Sequence, residues 1–290
     1  MMRPRIVVFA YSEVGSVCLK QLVKQGANIA AVFTHEDDPN EEIWFQSVKN
    51  VAQEAGIPVR TPKKLDEAEL EYFRSLKPEL VLSMYYRAII PDGVLEVPRL
   101  GAYNIHGALL PKYRGRACVN WAVLNGETKT GSTLHVMTSF ADRGDIVDQE
   151  EVSIEFEDTA HDVFLKVVEA SRKIIERRLP ELEAGTAPRR AQDESQATKF
   201  GRRRPEDGII DWSRSAVEIY NLVRAVTHPF PGAFTEFEGK KMFVWKARPV
   251  EGSAAPKKIV SKSPFLIGTG DGLLEILSFQ FEGGEEKETF

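Results

Sequence analysis

Asn104 and His106 stand two positions apart in Tyr103-Asn104-Ile105-His106, ahead of the loop Gly107-Ala108-Leu109-Leu110-Pro111-Lys112-Tyr113-Arg114-Gly115-Arg116. On a strand, residues so spaced leave the same face, so an amide and an imidazole would share one site. A neutral imidazole can take the proton that an amine loses as it attacks a carbonyl carbon, and a fixed amide N–H can stabilise the oxyanion that forms. The pair therefore suits acyl transfer to an amine. A carboxylate could complete it: Asp142, in Phe140-Ala141-Asp142-Arg143-Gly144-Asp145, follows a predicted strand and would orient the imidazole and stabilise its charged form. Asp145 competes for that role, and Asn104, His106 and Asp142 each have a plainer reading as strand-end or turn residues. His135, within a predicted strand, and His161, near a helix start, read as structural.

Apolar patterning indicates the elements that must position these groups. Arg5-Ile6-Val7-Val8-Phe9-Ala10-Tyr11 and Leu80-Val81-Leu82-Ser83-Met84-Tyr85 are the continuous apolar runs of strands buried on both faces, with another at 29–34. Helical spacing marks 12–26, closed by Gly26, and then 47–55, 65–76 and 117–125; a short edge-like strand falls at 57–59 and a longer strand at 132–137. Strand and helix alternate, which predicts a mostly parallel α/β sheet with ligands beyond the carboxyl ends of its strands. Only Gly15 follows the first strand, so no G-x-G-x-x-G dinucleotide loop is present. Tyr11 and Tyr85-Tyr86-Arg87-Ala88-Ile89-Ile90 stand at the strand ends, where flat apolar groups beside free backbone suit a planar heterocycle; simple packing is the alternative for the tyrosines.

Residues 180–199 read as a connection to a second domain. Beyond it, a helix over 215–226 and short strands at 233–237, 242–246, 258–260, 265–267 and 273–276 predict a small β domain, and the Glu-rich end at 282–290 is expected to fray.

Charge and cysteine usage exclude several classes. Thirty-eight Lys and Arg against forty-three Asp and Glu leave a net charge of −5, so any nucleic-acid-binding face has to be local. Cys18 and Cys118 are isolated in apolar surroundings and read as reduced thiols, which argues against a disulfide framework or a zinc site. No apolar run approaches the ~20 residues of a membrane span, and Met1-Met2-Arg3-Pro4-Arg5 shows no signal-peptide pattern. A cytoplasmic protein with no membrane association is expected. Neither a repeat nor a low-complexity segment is found.

The set Asn104-Ile105-His106, Leu109-Leu110-Pro111-Lys112-Tyr113-Arg114-Gly115 and Ala141-Asp142-Arg143-Gly144-Asp145-Ile146 resembles the signature of formyltransferases that use 10-formyltetrahydrofolate. Within that family the chain is most similar to the sugar-nucleotide N-formyltransferases, in particular the formyltransferase portion of the bifunctional enzyme acting on UDP-4-amino-4-deoxy-L-arabinose in lipid A modification. Supporting stretches are Phe33-Thr34-His35, Met84-Tyr85-Tyr86-Arg87, Asn125-Gly126-Glu127-Thr128, Phe200-Gly201-Arg202-Arg203 and Pro231-Gly232-Ala233-Phe234. The resemblance implies a Rossmann-like catalytic domain at 1–189, a linker at 190–203 and an open β-barrel (OB-like) domain at 204–290. It implies Asn104, His106 and Asp142 as the catalytic trio, with no metal. It further implies that Ala88, Ile89, Ile90, Arg116 and the stretch Thr138-Ser139-Phe140-Ala141-Asp142 hold the folate co-substrate. Related enzymes often continue into a dehydrogenase domain; this chain stops before a second Gly-rich motif, so only the transferase half is expected. Three positions depart from the pattern: Ala108 replaces a Ser, Cys118 a Pro, and Arg143 a small or neutral residue, where a cation beside Asp142 could weaken its coupling to His106.

The acceptor is read from charge. The segment His35-Glu36-Asp37-Asp38-Pro39-Asn40-Glu41-Glu42 carries carboxylates and no Lys or Arg where the tRNA-directed relatives are basic, which counts against a nucleic-acid partner more than it argues for another; a nucleotide-sugar substrate needs only one or two cations for its pyrophosphate. Arg202, Arg203 and Arg204 could supply cations for a pyrophosphate, or be an exposed linker; Tyr11, Asn120 and Trp121 are further acceptor-site candidates. Methionyl-tRNA formylation is the alternative activity, and a folate- or sugar-sensing module without turnover the alternative outside enzymes.

Overall fold

Short runs of Val, Ile, Leu and Phe without polar alternation form the middle of a sheet, since only a strand covered on both faces buries every side chain. In the computed structural model, which describes residues 3–37 and 43–288, β1 (Ile6–Ala10) and the later strand at Leu80–Met84 are buried at every position. The chain continues through α1 (Ser12–Lys24), β2 (Ile29–Phe33), α2 (Val48–Glu54), β3 (Val59–Arg60), α3 (Glu67–Ser75), β4 (Leu80–Met84), α4 (Asp92–Leu95), β5 (Ala102–His106) and β6 (Arg114–Gly115). Then come α5 (Cys118–Leu124), β7 (Lys129–Val136), β8 (Ile146–Ser153), α6 (Ala160–Ala184), β9 (Lys199–Phe200) and α7 (Ala216–Val226). Six strands follow: β10 (Ala233–Phe237), β11 (Lys240–Val250), β12 (Ile259–Lys262), β13 (Phe265–Gly268), β14 (Leu273–Phe281) and β15 (Glu286–Lys287).

The expected mostly parallel α/β sheet is present, in the order β3-β2-β1-β4-β5-β7-β8. β1 pairs in parallel with β2 and β4, and β4 with β5, whereas β7 runs antiparallel to β5. One face packs Val7, Phe9, Phe33, Val81, Phe73 and Val94 into a core in which the Phe9 and Phe33 rings stack at 4.8 Å. Burial of each such side chain contributes about 1.5–3 kcal/mol.

The chain divides into two compact units that are not sequential: Met1–Gly115, Thr130–Val152 and Leu165–Lys199 form one, and Arg116–Lys129, Ser153–Phe164 and Phe200–Phe290 the other. In the second unit the expected separate antiparallel β-sheet is ordered β10-β11-β14-β13-β12, with β15 on β14. Its helix α7 starts at a capping box, Ser215 accepting from the Glu218 amide while the Glu218 carboxylate accepts from the Ser215 amide. The buried Arg224 guanidinium ties the distant pieces together by donating to the carbonyls of Glu155 and Asp158 at 3.3 and 3.0 Å and to Asn221 Oδ1 at 2.9 Å.

Three local expectations differ. Helix α6 runs through Pro180 to Ala184, so the connection starts after Ala184. Proline has no N–H for the Glu176 carbonyl one turn back, and the Gln25 side-chain amide donates to that carbonyl instead, at 2.8 Å. Residues 146–153 form β8, an element the apolar patterning does not indicate because its exposed polar positions break any run. The Glu-rich end is partly tied down: β15 pairs with β14, and the Ser278 hydroxyl donates to Glu286. Asp38, Pro39, Asn40, Glu41 and Glu42 of the acidic segment, and Thr289 and Phe290 at the end, lie outside the described residues.

Candidate active site

Asn104 and His106 leave the same face of β5, and the antiparallel register sets His135 opposite Asn104 and Thr133 opposite His106. His135, expected to be structural, is set directly against Asn104. Its Nδ1 lies 2.8 Å from the Val136 carbonyl, an acceptor only, so Nδ1 carries the proton and Nε2 is left to accept from Asn104 Nδ2 at 3.1 Å. Burial pushes the His135 imidazole down from 6.5 to about 4, against the pull of the Asp142 carboxylate, so the ring is neutral near pH 7. A neutral ring with an open Nε2 fixes which end of the Asn104 amide is the donor, and leaves the second Nδ2 hydrogen for another acceptor. His135 was missed because its relation to Asn104 comes only from the register of two strands.

His106, 7 % exposed, donates from Nε2 to the Tyr113 carbonyl at 2.8 Å. Its other nitrogen, Nδ1, is thereby directed at Asp142, with Oδ1 3.5 Å away. The second carboxylate oxygen accepts from the Gly115 amide at 2.9 Å, and Oδ1 also lies 3.7 Å from His135 Nε2. The three expected groups therefore converge, with His135 between Asn104 and Asp142. Tyr113 and Asp142 have φ of 57° and 60°, in the left-handed region that non-glycine residues adopt at a cost. Thr133 fixes the intervening loop: its hydroxyl donates to the Ala108 carbonyl at 2.6 Å and accepts from the Leu110 amide at 3.1 Å.

The remaining candidates lie in separate places. Tyr11 is buried at the end of β1, its ring edge-on to His35 at 5.4 Å, and the Arg87 guanidinium lies 4.5 Å over its face. Further along that loop Ala88 is exposed, Ile89 is 87 % exposed and Ile90 is buried. On the loop after β7, Thr138, Ser139 and Ala141 are exposed, and Phe140 is 67 % exposed. Large apolar groups left in water on two strand-end loops fit a flat ligand with apolar faces, as the expected folate is. Arg143 lies with its guanidinium 5.7 Å from the Phe140 ring centroid.

Arg116, Asn120, Trp121 and residues 202–204 belong to the second unit. There Arg203 lies 4.7 Å over the Trp121 ring, and the Trp121 indole N–H donates to the Gly201 carbonyl at 3.0 Å. Asn120 donates to the Ala225 carbonyl at 2.8 Å; Arg116, Arg202 and Arg204 are exposed. Among the described residues, no cluster of three or more His, Cys, Asp or Glu side chains could hold a metal ion, and no helix is long and apolar enough to cross a membrane.

Residues 4–179 match the family model described as formyl transferase, and residues 202–288 match that of the formyl transferase C-terminal domain. The fold is similar to that of WlaRD, a sugar 3N-formyl transferase solved in the presence of dTDP and 5-N-formyl-THF, at 20% identity over 97% of this chain and 98% of that one, with a TM-score of 0.73. It is similar also to the N-formyltransferase from Helicobacter canadensis in complex with folinic acid and dTDP-3-aminofucose, at 20% identity over 99% and 100% of the two chains, with a TM-score of 0.77. HypX from Aquifex aeolicus in complex with tetrahydrofolic acid matches 99% of this chain and 46% of its own, at 18% identity and a TM-score of 0.67.

Proposed function

Because the chain belongs to the formyl transferase family, with both family domains matched, we propose that it moves a formyl group from 10-formyltetrahydrofolate to the primary amine of a nucleotide-linked amino sugar. Within that class a UDP-4-amino-4-deoxy-L-arabinose-like acceptor, used in the cytoplasm for lipid A modification, is the specific reading. The structural neighbours solved with folates and with a dTDP-amino sugar support the class of donor and acceptor.

The observation that carries the proposal is the paired use of the His106 nitrogens, Nε2 donating to Tyr113 and Nδ1 facing Asp142. The bound folate supplies a formyl carbon open to nucleophilic attack. Nδ1 of His106 takes the proton that the amine releases as the new C–N bond forms, and the Asp142 carboxylate stabilises the resulting imidazolium. The free Nδ2 hydrogen of Asn104 donates to the formyl oxygen as it gains negative charge. The bond between the formyl carbon and the folate nitrogen then breaks, and His106 would return the proton to that nitrogen as tetrahydrofolate leaves. Exposed Ile89 and Phe140, with the backbone around Ala88 and Ala141, would hold the folate.

The test is formyl transfer by the purified chain from 10-formyltetrahydrofolate to UDP- and dTDP-linked 4-amino and 3-amino sugars, followed by mass spectrometry. An N-formylated sugar nucleotide is expected. No product from any of them, together with salt-sensitive formylation of methionyl initiator tRNA, would replace this reading with the tRNA one.

A further inference from the structure

Residues 190–198, read from the sequence as linker, lie along the loop that carries Asp142. Arg190 and Ile146 exchange backbone hydrogen bonds at 2.8 Å, which sets the register of this segment against the start of β8. Two residues later, Gln192 uses its whole side-chain amide. Nε2 donates to the carbonyls of Asp142 at 2.9 Å and Gly144 at 2.7 Å, and Oε1 accepts from Arg114 Nη2 at 2.7 Å and Nε at 3.2 Å. The orientation of the amide follows from chemistry, since the reverse would put an oxygen against two carbonyls and an NH2 against a guanidinium. Arg114 is 5 % exposed and is closed on its far side by Glu194, at 2.6 and 2.9 Å.

The left-handed backbone of Asp142 needs such support, because few residues hold that conformation unless their surroundings impose it. In that conformation the carboxylate reaches His106 and the Gly115 amide. The same segment steadies the partner of His106: Thr198 Oγ1 accepts from the Tyr113 amide at 2.9 Å, and the Thr198 carbonyl accepts from the Arg114 amide at 2.9 Å.

We propose that Gln192 is a positioning residue for formyl transfer, holding the Asp142 backbone between the Arg114–Glu194 pair and the loop so that the carboxylate faces His106. The proposal rests on the reading of Asp142 given above. Misplacement of a reacting group by about 1 Å can cost on the order of a hundredfold in rate, so a residue that touches no substrate can act on turnover in this way.

The test uses the full chain with Gln192→Met, which removes both sets of bonds, and Gln192→Glu, which keeps an acceptor toward Arg114 but loses the donors to the two carbonyls. With 10-formyltetrahydrofolate and a UDP-linked 4-amino sugar, kcat is expected to fall about tenfold or more in both variants, with KM within about twofold. On an Asp142→Ala background the added effect of Gln192→Met should shrink to less than about twofold. Hydrogen exchange of the Gly115 amide, which donates to the Asp142 carboxylate, should quicken about tenfold in Gln192→Met. Unchanged kcat, or a full multiplicative effect without Asp142, overturns the proposal. If the wild type transfers no formyl group to the sugar, the acceptor reading fails on its own, and Gly115 exchange still decides: faster exchange supports positioning, and unchanged exchange removes it.

Discussion

Nε2 of His135 accepts a hydrogen bond from Nδ2 of Asn104 at 3.1 Å because the two residues are paired across β5 and β7. The amide is thereby held with Nδ2 as its donor end, on the strand face it shares with His106. Replacing His135 with Phe keeps the ring volume but leaves the Asn104 N–H without its acceptor. His135→Phe is expected to lower kcat by about ten- to a hundredfold with a small change in KM, as measured by steady-state kinetics. A kcat within about twofold of wild type would contradict the role given to this contact.

The same imidazole makes stability depend on pH. Its value, lowered from 6.5 to about 4 chiefly by burial, means that the unfolded chain binds one more proton than the folded chain between those limits. The contribution is complete above pH 6.5 and is lost as the pH falls toward 4. Urea denaturation at about pH 7 and about pH 4.5 should show the wild type losing more stability than His135→Phe. Equal losses in the two proteins would contradict the sign.

Much of the fold was legible in the sequence because burial on both faces leaves no alternative to an uninterrupted apolar strand, as in β1 and β4. The shared face of Asn104 and His106 was readable from spacing alone. What was not legible depends on pairing between distant residues. His135 reads as one polar residue in a strand until β7 is set antiparallel to β5, and Gln192 reads as linker until Arg190 pairs with Ile146. Pro180 ends a helix by local rules, yet α6 continues because Gln25 meets the Glu176 carbonyl.

Gly144 is required by space. A Cβ built there would stand 1.9 Å from the Val136 carbonyl oxygen, so the backbone of the loop after β7 would have to move. Gly144→Ala is expected to destabilise the chain by about 2 kcal/mol or more and lower the thermal midpoint by several degrees. A melting curve that overlays the wild type would show that the loop shifts freely.

Arg224 is a buried cation held by carbonyl oxygens and an amide, and burial pushes its guanidinium down. Arg224→Met would leave the Glu155 and Asp158 carbonyls without this donor, and a loss of about 2–4 kcal/mol is expected in denaturant unfolding. A change below about 0.5 kcal/mol would mean that water replaces the guanidinium there.

The central claim is that His106, with Nε2 committed to the Tyr113 carbonyl and Nδ1 facing Asp142, carries the amine proton during formyl transfer. Single-turnover transfer by His106→Gln with both substrates saturating tests it most directly. A rate reduced by about a hundredfold or more, with binding of folate and acceptor unchanged by calorimetry, is the predicted result. Transfer at the wild-type rate would contradict it.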